Sequence, residues 1–386
     1  VKKLGVYEMS DIFDKNSPDE GTSAKIKIVS YYMGLYFNII CPFRHNSKYN
    51  NQIVYIDLFA GQGKFRDGTK SVPLKLFEIV DEKKVDNIKF YFNDINHIDI
   101  LKKNIENDEI ASKYMEDITF DNKDAKDIDV KSLISKNDIV LSYIDPSGYL
   151  RVDPQTINDL TSNYFSDCLF FLNINNFFLR IDVDKERNNM IRLFGNEEKL
   201  DEMIELVKDK SKNRTEREKI LVKEVLTSIA CGSEKKLYFL PFFIRYSDDN
   251  TKIFNSVYLV SKKLDALIKL KNSFKIKDFI KNEDGRFIGS LSNSSQQIDL
   301  VGQIFDNNIV LDFIPMDRYI KRDDLLELID CDYMNEYGHI SAYNRSDLNR
   351  ILDGLRKNGM ILLEKPFNGK RECKFGNRLF RRKKVK

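Results

Sequence analysis

Tyr55-Ile-Asp-Leu-Phe-Ala-Gly-Gln-Gly-Lys64 is the stretch on which the reading of this chain turns. A hydrophobic run, 53–58, leads into a turn of small residues, Ala60-Gly61-Gln62-Gly63, and Asp57 stands near the end of the run. Together they predict a buried strand whose carboxyl end opens into a loop that a ligand can approach closely. Open parallel sheets bind their ligands at that edge. Alone, Gly-x-Gly predicts no more than a tight turn. Its weight comes from three further strand ends, later in the chain, that carry polar residues in the right order.

Working outward, strand and helix patterns alternate. Residues 22–40 predict a helix capped by Thr22 or Ser23, with Ile26, Ile28, Val29, Tyr32, Met33 and Tyr36 on its apolar face. After the glycine turn, 72–80 predicts a helix with proline in its first turn, where the missing amide costs little. Strands are predicted at 88–92, 118–120, 139–144 and 167–172, with helices at 97–107 and 156–163. This βαβα rhythm predicts a doubly wound, Rossmann-like parallel sheet with helices on both faces.

Residues 181–236 are highly charged and helical in period, which predicts a helical insertion. Two strands, 237–246 and 253–260, flank the turn-rich Ser247-Asp-Asp-Asn250 and predict a closing hairpin. Basic residues from Lys262 to Lys277 predict a helix that gives way to a linker. Helices at 322–329 and 346–358, a stop at Gly359, and strands at 360–364 and 371–375 then give a winged-helix-like order with a basic wing. The domain reading is a lead-in at 1–21, a main domain at 22–275, a linker at 276–310 and a basic module at 311–386.

At 386 residues, 42% hydrophobic and 32% charged, the balance is that of a globular protein with room for a sizeable core. No apolar run approaches the roughly 20 residues of a membrane span, and the first residues lack the apolar core of a signal peptide. The expectation is a soluble, cytoplasmic protein with no membrane partner. Five scattered cysteines and three histidines without ligand-like spacing argue against a metal site and for reduced thiols. The net charge of +3 is uneven: from Arg350 onward thirteen Lys or Arg stand against three Asp or Glu. A basic tail on an acidic body points to nucleic acid or another polyanion, or to a solubilising terminus.

Polar residues close four successive predicted strands. Asp57, Phe59, Ala60, Gly61 and Gly63 form the first binding loop, whose amides and neighbouring helix start suit a carboxylate. Asp94 closes the second strand, where an acid accepts both hydroxyls of a ribose. Its distance from Gly63 exceeds the usual spacing of about twenty residues, and Asn93 and Asn96 are alternatives for its role. Asp124-Ala125 follows the third strand and can accept from an adenine amine. Asp145-Pro146 ends the fourth, beside the reactive end of such a ligand. Each has a plain structural alternative as a turn former or helix cap.

Asp57–Gly63 with the terminal hairpin resembles the class I S-adenosylmethionine-dependent methyltransferases, whose seven-stranded sheet ends in an antiparallel hairpin. Asp145-Pro146-Ser147-Gly148 resembles the Asp-Pro-Pro-aromatic motif of their members that act on base amines. More narrowly, the chain resembles the three-Cys-motif partner (TcmP) family of bacteria and phage. The shared features are a leading helix with Lys and Tyr (Lys25 to Tyr36), the Asp57–Gly63 loop, Ser71-Val-Pro73-Leu74, Asp145–Gly148 and the Asp167–Leu172 strand.

The resemblance implies S-adenosylmethionine as cofactor, DNA or RNA as substrate and a partner protein bearing three cysteines. Asp145 and the Pro146 carbonyl would accept the two hydrogens of the target amine, with Tyr149 as the stacking aromatic, one position later than in the motif. The alternative is a methyltransferase-like scaffold without catalysis, within a phage-defence or mobile-element system. A nuclease using Asp248-Asp249 or Asp323-Asp324 is a third reading, against which these acids read as turn and helix-start residues.

Overall fold

The computed structural model describes residues 17–46, 51–146, 153–245, 253–273, 279–281, 287–290, 307–316, 318–341, 343–363 and 379–382. Two compact units emerge, one comprising Val1–Ser147 with Asn163–Leu169 and the other Gly148–Ser162 with Phe170–Lys386.

The first unit begins with helix α1, Glu20–Asn46. Its cap is Asp19, not Thr22 or Ser23: the Asp19 carboxylate accepts from the Thr22 amide at 2.8 Å. The helix outruns its predicted end at 40 because its apolar stripe does the same, through Phe37, Ile40, Cys41 and the buried stem of Arg44. By length and composition Gly21–Arg44 is long and apolar enough to cross a membrane, which corrects the expectation that no run approaches a span. Here it serves as a core helix, with Ile28, Val29, Met33 and Phe37 fully buried.

Strands β1 (Ile53–Asp57), β2 (Ile88–Asn93), β3 (Ile118–Asp121) and β4 (Ile139–Ile144) alternate with helices α2 (Val72–Lys83) and α3 (Ile98–Glu106). β1 is central, with Asp57 level with Phe92 of β2 on one side and Tyr143 of β4 on the other, both pairings parallel. A strand paired on both sides and covered on both faces reads as an unbroken apolar run, which is why Ile53 to Leu58 shows no alternation. The order in this unit is β3-β2-β1-β4-β5, where β5 is Asp167–Leu172.

The second unit takes up β5 from Phe170. It holds α4 (Pro154–Leu160), then α5 (Ile174–Arg180), α6 (Arg187–Phe194), α7 (Glu197–Lys208) and α8 (Arg214–Cys231), most of which fill the segment expected to be a helical insertion. Strands β6 (Tyr238–Arg245) and β7 (Ile253–Ser261) pair antiparallel, as a hairpin requires; its turn at 247–250 lies outside the described residues. Helix α9, Leu264–Ser273, follows.

Two short strands, β8 (Phe279–Lys281) and β9 (Phe287–Ser290), lie within the segment expected to be a linker and extend the order to β5-β7-β6-β9-β8. Three or four residues each, they are too short for a period-2 signal to separate them from loop.

After α10 (Asn307–Asp312) come β10 (Ile320–Lys321), α11 (Arg322–Tyr337), α12 (Arg345–Lys357), β11 (Ile361–Leu363) and β12 (Leu379–Arg382). The three strands pair antiparallel in the order β10-β12-β11. The strand expected at 371–375 lies outside the described residues. Leu325, Ile329, Leu348, Ile351, Leu352 and Leu355 form the core here. Between α9 and α11 a buried ion pair is fully saturated: Lys271 Nζ donates to both Asp330 oxygens at 2.8 and 2.7 Å. Asp330 also accepts from the Ser341 amide and hydroxyl.

Candidate functional site

Because β3, β2, β1 and β4 are parallel neighbours, their carboxyl ends open on one edge, and each expected acid stands there. Asp57 is completely buried. Its carboxylate accepts from the Phe59 amide at 3.1 Å and the Tyr55 hydroxyl at 3.4 Å. Burial pushes this carboxyl well above the usual range; the Phe59 amide pulls it back, and the charges of Asp145 and Asp94 push it up again.

Backbone geometry explains the glycines. Gly61 and Gly63 have φ of 65° and 83°, the left-handed region that side chains with Cβ rarely adopt. At Gly63 a Cβ would also stand 2.7 Å from Leu101 Cδ1, so the turn lies directly against α3. The loop is held by Asn104, which donates to the Gln62 carbonyl at 2.7 Å, and by the Ser71 amide, which donates to the Gly63 carbonyl at 2.8 Å.

Asp94 is brought onto this turn. One carboxylate oxygen accepts from the Gly61 amide at 2.9 Å, and the other accepts from the amides of Asn96 and His97 at the start of α3, both at 2.9 Å. The acid thus ties the first loop to the second, and one of the Gly61–Gly63 amides is used within the protein. Asn93 beside it is only 1% exposed. Its amide nitrogen donates to the carbonyls of Leu58 and Lys123, both at 3.0 Å, and its oxygen accepts from the Lys123 amide at 2.9 Å. Asn93 is therefore a staple across three strand ends, with both of its amide hydrogens committed within the protein. Asn96 is exposed.

Asp124 caps a short 3-10 turn over Ala125–Asp127, accepting from the Lys126 amide at 3.3 Å and pairing with Lys126 Nζ at 3.1 Å. Ala125 is buried. Asp145, just past β4, receives the Tyr143 hydroxyl on Oδ2 at 2.9 Å, and Lys25 Nζ forms an ion pair with the same oxygen. Pro146 is buried beside it, while Tyr149 lies outside the described residues. All of these described side chains belong to the first unit.

Sequence patterns assign no role at this edge to Lys25 or Tyr143. A signal for Lys25 is nonetheless present: it shares the α1 stripe with Ile28, Val29, Tyr32 and Tyr36, and a lysine inside an apolar stripe needs a buried partner. Tyr32 donates to Asp167 at 2.6 Å, and Tyr36 donates to the carbonyls of Val140 and Phe165 at 3.3 and 3.1 Å. The Lys and Tyr positions of the leading helix thus fasten it along β4 and the start of β5. Four carboxyl groups and one ammonium on one edge suit a ligand that offers hydroxyls, amines and a positive charge.

No family model and no curated protein matches the chain. Among solved structures it aligns with the DszA carbon methyltransferase at 11% identity and TM-score 0.36, covering 62% of this chain and 54% of that one. It also aligns with the type I restriction-modification system methyltransferase subunit from Streptococcus thermophilus at 12% identity and TM-score 0.31, covering 64% and 44%. A third is the methyltransferase domain of bacterial CtHen1-CN, at 13% identity and TM-score 0.29, covering 60% and 98%. The aligned part spans about half the length of the first two structures.

Proposed function

We propose that this chain is an S-adenosylmethionine-dependent methyltransferase acting on an exocyclic amine of a nucleic-acid base. One observation carries the reading: the glycine turn, Asp94, Asp124-Ala125 and Asp145-Pro146 stand at the carboxyl ends of four adjacent parallel strands.

The residues fit the cofactor. Asp94 and Asp124 offer carboxylates for ribose hydroxyls and an adenine amine, with Ala125 leaving room for the ring. Asp57 holds the Phe59 amide at the head of the glycine loop, and Asp145 stands beside the place of the reactive end. When bound, the cofactor supplies an electrophilic methyl group on a sulfonium. The chain's task is alignment: Asp145 and the Pro146 carbonyl accept the two amine hydrogens, so that the nitrogen lone pair faces the methyl carbon. The amine loses a proton to solvent after transfer.

The β10-α11-α12-β11-β12 order and its three-stranded sheet support a winged-helix-like reading of the C-terminal module. Exposed Arg350, Arg356 and Lys357 on α12 give it a surface for phosphates. Membership in the three-Cys-motif partner family, with its partner protein and a phage-defence setting, rests on the motif resemblance alone and is part of this proposal.

Calorimetric titration with S-adenosylmethionine tests the cofactor: wild type binds, and Asp57→Ala binds at least about tenfold more weakly. Asp145→Ala keeps cofactor binding and loses methyl incorporation into DNA or RNA. No heat with wild type refutes the reading. Biological activity that survives both substitutions, and is lost when 311–386 are removed, would support the scaffold alternative instead.

A further inference from the structure

The proposed chemistry needs Asp145 to accept, so its orientation must be fixed. Both of its contacts among the described residues fall on one oxygen, Oδ2: the Lys25 ammonium and the Tyr143 hydroxyl. Lys25 is only 7% exposed and comes from α1, far away in sequence. Its arrival is set by register. From Tyr36, bonded to the Val140 carbonyl, back to Lys25 is eleven residues of helix, about 16 Å. From Val140 to Asp145 along β4 is five residues of strand, also about 16 Å. α1 running antiparallel over β4 therefore delivers the ammonium to the strand end.

The electrostatics require such a group. From β1 the Asp57 carboxyl faces Asp145, with Asp94 beyond β2 in the same cluster, and ionising these acids together sets like charges against one another. Tyr143 and Tyr55 contribute hydroxyls, both held well above their ordinary range by burial and by these carboxylates. Among the described residues contacting Asp145, Lys25 alone brings a positive charge.

We propose that Lys25 is a positioning residue for methyl transfer: with Tyr143 it pins Oδ2 of Asp145 and leaves Oδ1 as the acceptor for the target amine. The substrate class is a consequence. With Oδ1 and the Pro146 carbonyl as paired acceptors, the site takes a nucleophile carrying two N–H bonds, a primary exocyclic amine. A hydroxyl or a ring nitrogen does not present both hydrogens.

This inference rests on the methyltransferase reading for its role, and its test separates the two. Lys25→Met and Lys25→Arg are compared with wild type by cofactor calorimetry, by the steady-state kinetics of methyl transfer to DNA or RNA, and by 13C NMR of aspartate-labelled protein, with the Asp145 carboxyl signal identified by its loss in Asp145→Asn. The Met variant is expected to bind cofactor within about threefold of wild type. Its kcat falls at least about tenfold at neutral pH with little change in KM. Its Asp145 carboxyl signal moves away from the wild-type position at neutral pH, because the ion pair on Oδ2 is lost, while the signal in Lys25→Arg stays near wild type. Lys25→Arg restores most of the rate.

An unchanged kcat or an unchanged Asp145 carboxyl signal in Lys25→Met overturns the proposal. So does loss of cofactor binding that Lys25→Arg fails to rescue, since Lys25 is then structural. A wild type that binds no cofactor overturns the methyltransferase reading instead, and the NMR comparison still decides whether Lys25 holds Asp145.

Discussion

Replacing Gly63 with alanine charges the glycine turn with two separable costs. The residue sits at φ 83°, where an L side chain is strained by roughly 1–2 kcal/mol. The new methyl would also stand 2.7 Å from Leu101 Cδ1 and 3.4 Å from Leu74 Cγ. The nearest atom is a side-chain methyl, so Leu101 can shift, and the overpacking term falls at the low end of its usual range, about 1–2 kcal/mol. Together Gly63→Ala should destabilise by about 2–4 kcal/mol.

Urea unfolding tracked by circular dichroism reads this as a lowered midpoint at constant slope. Two controls sharpen it. Gly34→Ala, in α1 with nothing within 4 Å of its Cβ, should be neutral or stabilising by up to about 1 kcal/mol. In a Leu101→Ala background the clash vanishes and the strain stays, so Gly63→Ala should cost only about 1–2 kcal/mol there. A Gly63→Ala protein as stable as Gly34→Ala would refute the left-handed turn and its seating against α3.

Three further outcomes are expected from the same structure. Lys271→Met leaves the Asp330 carboxylate buried without its cation and should cost roughly 3–5 kcal/mol by differential scanning calorimetry, with the Lys271→Met/Asp330→Leu double variant recovering most of it. Asn93→Ala unpairs three backbone groups and should cost about 2–4 kcal/mol; because it frees three strand-end loops, cofactor affinity measured calorimetrically should fall as well. Asp57→Asn removes a buried carboxyl whose ionisation burial opposes. The folded carboxyl is raised above its unfolded value near 3.9, so the unfolded state holds fewer protons and stability falls as pH rises from about 4 through the folded pKa. The amide variant should therefore melt higher than wild type at neutral pH, and its advantage should fade as pH drops towards 4. A constant advantage across that window would show that Asp57 is not held raised.

Much of the first unit was legible in the chain. The strands 139–144 and 167–172 match to the residue, because an apolar run flanked by turn formers marks its own ends. The site acids were legible for the same reason: each stands where a run stops. Less visible were the edge strands β8 and β9, whose few residues carry no period, and the cap at Asp19, which competed with Thr22 and Ser23 in a stretch rich in capping residues.

By itself, then, the sequence determined the alternation of strands and helices, the glycine turn and the acids that close four strands, since periodicity and turn chemistry act over a few residues. Tertiary structure alone decided what those acids do. Asp94 became a tie between Gly61 and α3, Asn93 a staple under Leu58 and Lys123, and Asp145 the partner of Lys25. Such pairings join groups tens of residues apart through burial and register, and a local pattern carries no record of which buried charge will meet which.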